Sequence, residues 1–203
     1  MSITLPTIGQ TAWGQPVNDA LSAMANGAAD PGDLGLTQWN YDPIGITILT
    51  GINPASGTVR MVRLPKLPQP ATINSVSFFI GSAAITPTAG QCFAAVYNSS
   101  GVRLGVSADI SGQLGTIGMI SFALTAPLNL PAGDYNAAIL MNASGVPSLG
   151  ACANAHSAAV NGTLPASIAR VTDGPTAQTS LPANITMSSR TPIGQATWAG
   201  LRP

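Results

Sequence analysis

The sequence predicts a mainly β protein: a β-sandwich or jelly-roll-like domain preceded by an extended arm and a short α-helix. Three observations lead there. From about residue 44 onward, short β-prone runs recur at close spacing with turn residues between them. The 22 glycines and 17 prolines fall almost entirely outside those runs, so turns are frequent. Hydrophobic residues make up 45 %, enough for a real core. The chain divides at a shift in pattern into residues 1–40, the arm and helix, and residues 41–203, the β domain.

The arm opens with LPTIGQTAWGQP, an extended lead-in punctuated by Pro and Gly. Pro16 suits the first turn of a helix, where its missing N–H costs nothing. Val17, Leu21 and Met24 then fall at i, i+4 and i+7 and share one stripe. Asn26-Gly27 supplies the stop, with Gly27 in the left-handed position beyond the helix end. A helix of about three turns is marginal alone in water. Its stripe, with Trp13 just upstream, therefore has to pack on something, either its own β domain or another chain. Residues 28–35, AADPGDLG, form a turn-rich link.

The expected strands are Ile44 to Thr50, Thr58 to Leu64, Ile73 to Ile80, Gln91 to Tyr97, Val102 to Ser107, Met119 to Leu124 and Tyr135 to Met141. Val76-Ser77-Phe78 and Val102 to Val106 alternate with period two, as half-buried strands do. Asn98-Ser99-Ser100-Gly101 is a hairpin turn, and Pro131-Ala132-Gly133-Asp134 turns into Tyr135. Strands this short, with turns this frequent, indicate a sandwich or jelly roll. Residues 143–166 are rich in Ala, Gly, Ser and Asn with weak periodicity, and read as a long loop serving either recognition or packing. TIGQTAWGQ (7–15) echoes TPIGQATWAG (191–200), a match too short to define a structural repeat.

Charge is scarce. Seven basic side chains (six Arg and Lys66) and seven aspartates stand among 203 residues, with no glutamate. An ordinary domain is about a quarter charged. Charge keeps free monomers apart, so this chain is better suited to a fixed place in an assembly than to free diffusion. There is no basic stripe, which argues against a nucleic-acid partner. Residues 67–102 and 135–169 carry no charge, yet Pro, Gly, Asn and Ser break both. Neither offers the run of about 20 apolar residues that a spanning helix needs, so membrane insertion is not expected. The first residues lack the basic and apolar regions of a signal peptide, which places synthesis in a cytoplasm. Cys92 and Cys152 read as two small buried thiols in a reducing compartment, with one disulfide as the alternative.

The raw material for catalysis is thin. His156 is the only histidine, in Asn154-Ala155-His156-Ser157, and no Gly-x-Ser-x-Gly elbow is present. A carboxylate pair would have to come from Asp19, Asp30, Asp33, Asp42, Asp109, Asp134 and Asp173. Asp30, Asp33 and Asp134 look like turn formers, and Asp109 like a cap or turn residue after a strand. No Cys/His cluster has zinc-ligand spacing, and no phosphate loop carries its lysine. No enzyme activity, cofactor or metal is expected. Asn98, Asn142, Asn161 and Asn184 match the glycosylation pattern by chance in a Ser/Thr-rich chain. A binding surface is better supported. Trp39, Tyr41, Tyr97, Tyr135 and Trp198 could offer flat faces to sugar rings. Trp39 and Tyr41, beside the link into the β domain, are the best exposed candidates for glycan contact.

Leu5-Pro6-Thr7-x-Gly9-x-Thr11-x-Trp13-Gly14-x-Pro16-x-Asn18-x-x-Leu21 resembles the opening of minor tail and tail-fibre proteins of phages infecting actinobacteria. There it heads a short helix that attaches the protein to the virion. Ala89-Gly90-Gln91-Cys92-Phe93-Ala94-Ala95-Val96-Tyr97, followed by Gly101-x-x-Leu104-Gly105-x-Ser107-Ala108-Asp109, is similar to a jelly-roll-like module of such fibres. Leu130-x-Ala132-Gly133-x-Tyr135 and Trp198-Ala199-Gly200-Leu201-Arg202 fit the same module. The resemblance covers nearly the whole chain. It implies a virion structural protein, usually a homotrimer, that contacts other virion proteins and the host envelope and has no catalytic residues. Trp13, Val17, Leu21 and Met24 would carry docking or assembly. A capsid decoration or head-fibre protein would look much the same. A stand-alone glycan-binding module is the alternative of another class.

Overall fold

The computed structural model describes residues 30–46, 53–154 and 157–203. Trp13, Val17, Leu21, Met24 and the helix expected around them lie outside the described residues. So do Asp19, His156 and most of the strand expected over residues 44–50.

The described residues are mainly β, in several antiparallel sheets. In chain order the strands are β1 (Gln38–Trp39), β2 (Val59–Arg63), β3 (Ala71–Ile80), β4 (Ile85–Pro87), β5 (Phe93–Asn98), β6 (Arg103–Val106) and β7 (Gly118–Leu130). They continue as β8 (Tyr135–Leu140), β9 (Ala143–Gly145), β10 (Ala151–Asn154), β11 (Val171–Asp173), β12 (Thr191–Pro192), β13 (Gln195–Thr197) and β14 (Ala199–Arg202). One short helix, α1 (Ser157–Asn161), lies between β10 and β11. A six-stranded sheet runs β12-β11-β2-β8-β5-β6, and a four-stranded sheet β1-β14-β3-β7. β10 pairs with β13, and β4 with β9. A bridge between Ser107 and Leu124 joins the two large sheets at the β6 and β7 edges.

Side-chain alternation explains how the two sheets pack. From the six-stranded sheet, Val62, Ala94, Val96, Ala137 and Ile139 point inward. They meet Ile73, Val76, Phe78, Phe122, Ala199 and Leu201 of the four-stranded sheet in one core. A register irregularity between Ile73 and Ser75 lets Ile73 and Val76 share that face despite odd spacing. The opposite face of the six-stranded sheet is apolar as well. Val59, Met61, Ala95, Tyr97, Ala138 and Leu140 are covered by Leu181, Ile185 and Met187 from the segment before β12. Every residue of β8 is therefore buried, and its sequence runs apolar rather than alternating. Tyr97 fastens the cover by donating its hydroxyl to the Pro182 carbonyl at 2.6 Å. At the β5–β6 turn the cover approaches so closely that a Cβ on Gly101, at φ +86°, would lie 2.0 Å from the Ile185 oxygen.

A third cluster, Leu36, Trp39 and Trp198, lies on the far side of the four-stranded sheet with Phe79 against it. It draws residues ahead of position 40 onto the sheet. β1 pairs with β14, and Asn40 exchanges hydrogen bonds with Thr197 and Ala199. Ahead of β1, Asp30 caps a 3-10 turn, Pro31–Leu34, that ends at left-handed Gly35. Other expectations also shift. Ile44 sits in a 3-10 turn, Pro43–Gly45, capped by Asp42 rather than in a strand. Residues 143–166 hold β9, β10 and α1 rather than one long loop. β6 is an edge strand whose Val102 and Leu104 neighbours stay exposed despite their alternation. The Asn98–Gly101 and Pro131–Asp134 turns stand where expected. Asn98 Oδ1 accepts from the amides of Ser100 and Val102, and the Tyr135 hydroxyl donates to the Pro131 carbonyl.

The largest buried polar group is Arg60, only 1 % exposed. It points from β2 toward β11 and β13. Its Nε and Nη2 donate to the two carboxylate oxygens of Asp173 at 2.5 and 3.2 Å. Its Nη1 donates to Gln195 Oε1 at 2.8 Å and Thr197 Oγ1 at 2.9 Å. All three guanidinium nitrogens are engaged, as a buried cation requires. On the outer face, Arg190 is held by the carbonyls of Ala166, Ser167 and Met187 and by the Thr172 hydroxyl. Burial pushes its guanidinium down to about 10, so it stays protonated at neutral pH. Removing one partner of a buried pair strands the other charge and costs roughly 3–5 kcal/mol. Asp173 is 24 % exposed, so Asp173→Asn is expected to cost about 3 kcal/mol, the lower end of that range, in urea unfolding. A loss under about 1 kcal/mol would mean that water already screens the pair.

Candidate binding cleft

The strands tied by Arg60 also build a cleft with a volume of about 680 Å³. β2 brings Arg63 and, just past its end, Leu64, Pro65 and Lys66. β11 brings Val171 with Arg170 before it, and β13 brings Ala196. Val160 of α1 closes one side. α1 is short, and Asn161 holds it in place. Its amide donates to the Ile193 carbonyl at 2.7 Å, and its Oδ1 accepts from the Val171 amide at 3.0 Å. Asn161, which matches the glycosylation pattern, is thus a buried structural residue.

Tyr41 lines the cleft together with the basic residues. Its hydroxyl donates to the Ala196 carbonyl at 2.7 Å, and its own carbonyl accepts from Trp198 Nε1 at 2.9 Å. Burial pushes its phenol well above the usual tyrosine range, so it stays neutral. Trp39, the other expected glycan contact, is buried against Trp198 and Leu36, because β1 is part of the sheet. Tyr97, Tyr135 and Trp198 are likewise buried. Of the five candidate aromatics, only Tyr41 reaches a cleft.

The cleft is electropositive. Arg63, Lys66 and Arg170 are three of the seven basic side chains in the chain. Arg63 is anchored by the Ile168 carbonyl at 3.1 Å and by Asp134 at 3.3 Å. That ion pair is about a third exposed on each side, so it contributes under about 1 kcal/mol and mainly orients the guanidinium. Lys66 and Arg170 are exposed and enter neither of the two ion pairs found among the described residues. This cluster was not visible along the sequence, because more than a hundred positions separate Lys66 from Arg170. The signal that could have found it is scarcity: where cations are few, three converging on one cavity is informative.

Other candidate chemistry resolves into structure. Asp109 is a turn residue, one of the two roles its position suggests: its carboxylate accepts from the amides of Cys92 and Ser111 and from the Ser111 hydroxyl. Burial alone would raise its carboxyl. Hydrogen bonds from the Gly90, Cys92 and Ser111 amides and the Ser111 hydroxyl outweigh that and hold it below the usual range. Among the described residues no group of three or more His, Cys, Asp or Glu could hold a metal ion. No described helix is long and apolar enough to cross a membrane. The cysteines do not pair. Cys92 is buried, with its thiol near the carbonyls of Thr88 and Asn142, and burial pushes that thiol up. Cys152 is exposed, contrary to expectation, and lines the cleft beside Tyr41.

Comparison with protein-family models, curated proteins and solved structures returns no match. The arrangement itself is an open, apolar-walled cavity with one tyrosine and a surplus of positive charge. It is suited to holding a ligand by contact and charge. Iodoacetamide applied to the native protein is expected to modify Cys152 and spare Cys92, giving one adduct by mass spectrometry and two after unfolding. Two adducts in the native state would mean that Cys92 is accessible.

Proposed function

We propose that this chain is a bacteriophage virion structural protein of the minor-tail or tail-fibre type. Its N-terminal segment docks on the particle and trimerises, and its β unit faces outward and binds host surface glycan. The assignment to a virion rests on the resemblance of residues 5–21 and of the β phrases. The binding role is carried by one structural observation: the Tyr41 cleft combines apolar walls with three cations and a single carboxylate, Asp134. On this account the protein turns nothing over. The core shared by the two large sheets supports a sandwich of jelly-roll type.

The surface supports a place in an assembly. Ile44, Ile85 and Ile117 are 91 %, 66 % and 59 % exposed, a poor arrangement for a free monomer with so little charge. Large permanent interfaces are more apolar than free surface. In the particle such side chains would meet neighbouring subunits.

Light scattering with size exclusion tests the assembly claim. The comparison is between the full chain and a version lacking residues 1–29, which keeps β1 and its cap. A trimer that falls to a monomer on truncation is the expected result. A full-length monomer would contradict trimerisation through the N-terminal segment.

A further inference from the structure

From the same cleft, and resting on the glycan reading above, we infer that the ligand is an acidic saccharide whose carboxylate is held by Arg170 and Lys66. In a chain with seven cations, burying or pairing them would be the economical arrangement. Arg60 is paired and buried, Arg63 is tied to Asp134, and Arg190 is enclosed by carbonyls. Lys66 and Arg170 instead stand on the rim of an apolar-walled cavity. Asp134 offsets only one of the three cationic side chains there, which leaves a surplus positive charge. That surplus attracts an anion, and a guanidinium matches the planar geometry of a carboxylate.

The cavity is also far larger than a single ion requires. At about 680 Å³ it falls in the range of small-molecule sites. Tyr41, Pro65, Ala159 and Ala196, the accessible apolar residues of the lining, suit the apolar face of a sugar ring next to the charged group. A nucleic-acid backbone is a poorer fit, because it needs a track of cations rather than two in one pocket.

The test is binding of the full chain to an array of neutral hexose, hexuronate and glycerol-phosphate oligomers. It is repeated with Lys66→Gln/Arg170→Gln, both side chains being exposed and outside the ion pairs found among the described residues. The hexuronate oligomer is expected to bind about tenfold or more tightly than its neutral counterpart. The double variant should erase that preference. Added salt should weaken hexuronate binding, and bound hexuronate should slow alkylation of Cys152. Equal binding of neutral and acidic oligomers, unchanged in the double variant, would overturn the acidic-ligand inference and leave the glycan reading standing. Preference for glycerol phosphate would overturn the carboxylate assignment. Failure of all three to bind would overturn the glycan reading and the inference together.

Discussion

The arrangement of strands around the cleft depends on the guanidinium of Arg60. It is buried, and its fork reaches a carboxylate on β11 and two polar side chains on β13. Three strands that are far apart in sequence thereby acquire one fixed separation. The same strands carry Arg63, Val171 and Ala196 into the cleft wall. A charge in a low-dielectric interior tolerates few geometries. Arg60 therefore contributes definition of shape more than raw stability, which comes from the apolar layers on either side of the six-stranded sheet.

Those layers account for the unusual composition. Both faces of the central strands are covered, one by the four-stranded sheet and the other by the segment ending in Arg190. A sheet buried on both sides favours apolar residues at most positions and leaves little room for charge. The basic side chains are correspondingly specific: Arg60 clamps strands, Arg103 and Arg190 bond to the cover, Arg202 to the Leu34 carbonyl, and Arg63, Lys66 and Arg170 gather at the cleft. The exposed isoleucines complete the same economy if neighbouring subunits cover them.

Much of the β unit was legible in the sequence. The strands at β2, β3, β5, β6, β7 and β8 are long enough, and flanked by clear enough turns, for propensity and alternation to find them. The turns at Asn98 and Pro131 carry their own hydrogen-bonding chemistry. β1 and β11 to β14 were missed because each is short and owes its pairing to a partner far along the chain. Gln38–Trp39 becomes a strand only against β14. The exposure expected of Trp39 failed for the same reason, since pairing turns it onto Trp198. Of the cleft, only Tyr41 was anticipated. Arg63, Lys66 and Arg170 converge through tertiary pairing, which local patterns do not encode.

Amide hydrogen exchange on the wild type and on Asp173→Asn tests the role of Arg60 most directly. If Arg60 clamps the cleft strands, protection falls in β11 and β13 while β5 and β8, buried on both faces, retain theirs. Uniform loss across all sheets, or no loss at β13, would contradict the account and leave the cleft shaped by apolar packing alone.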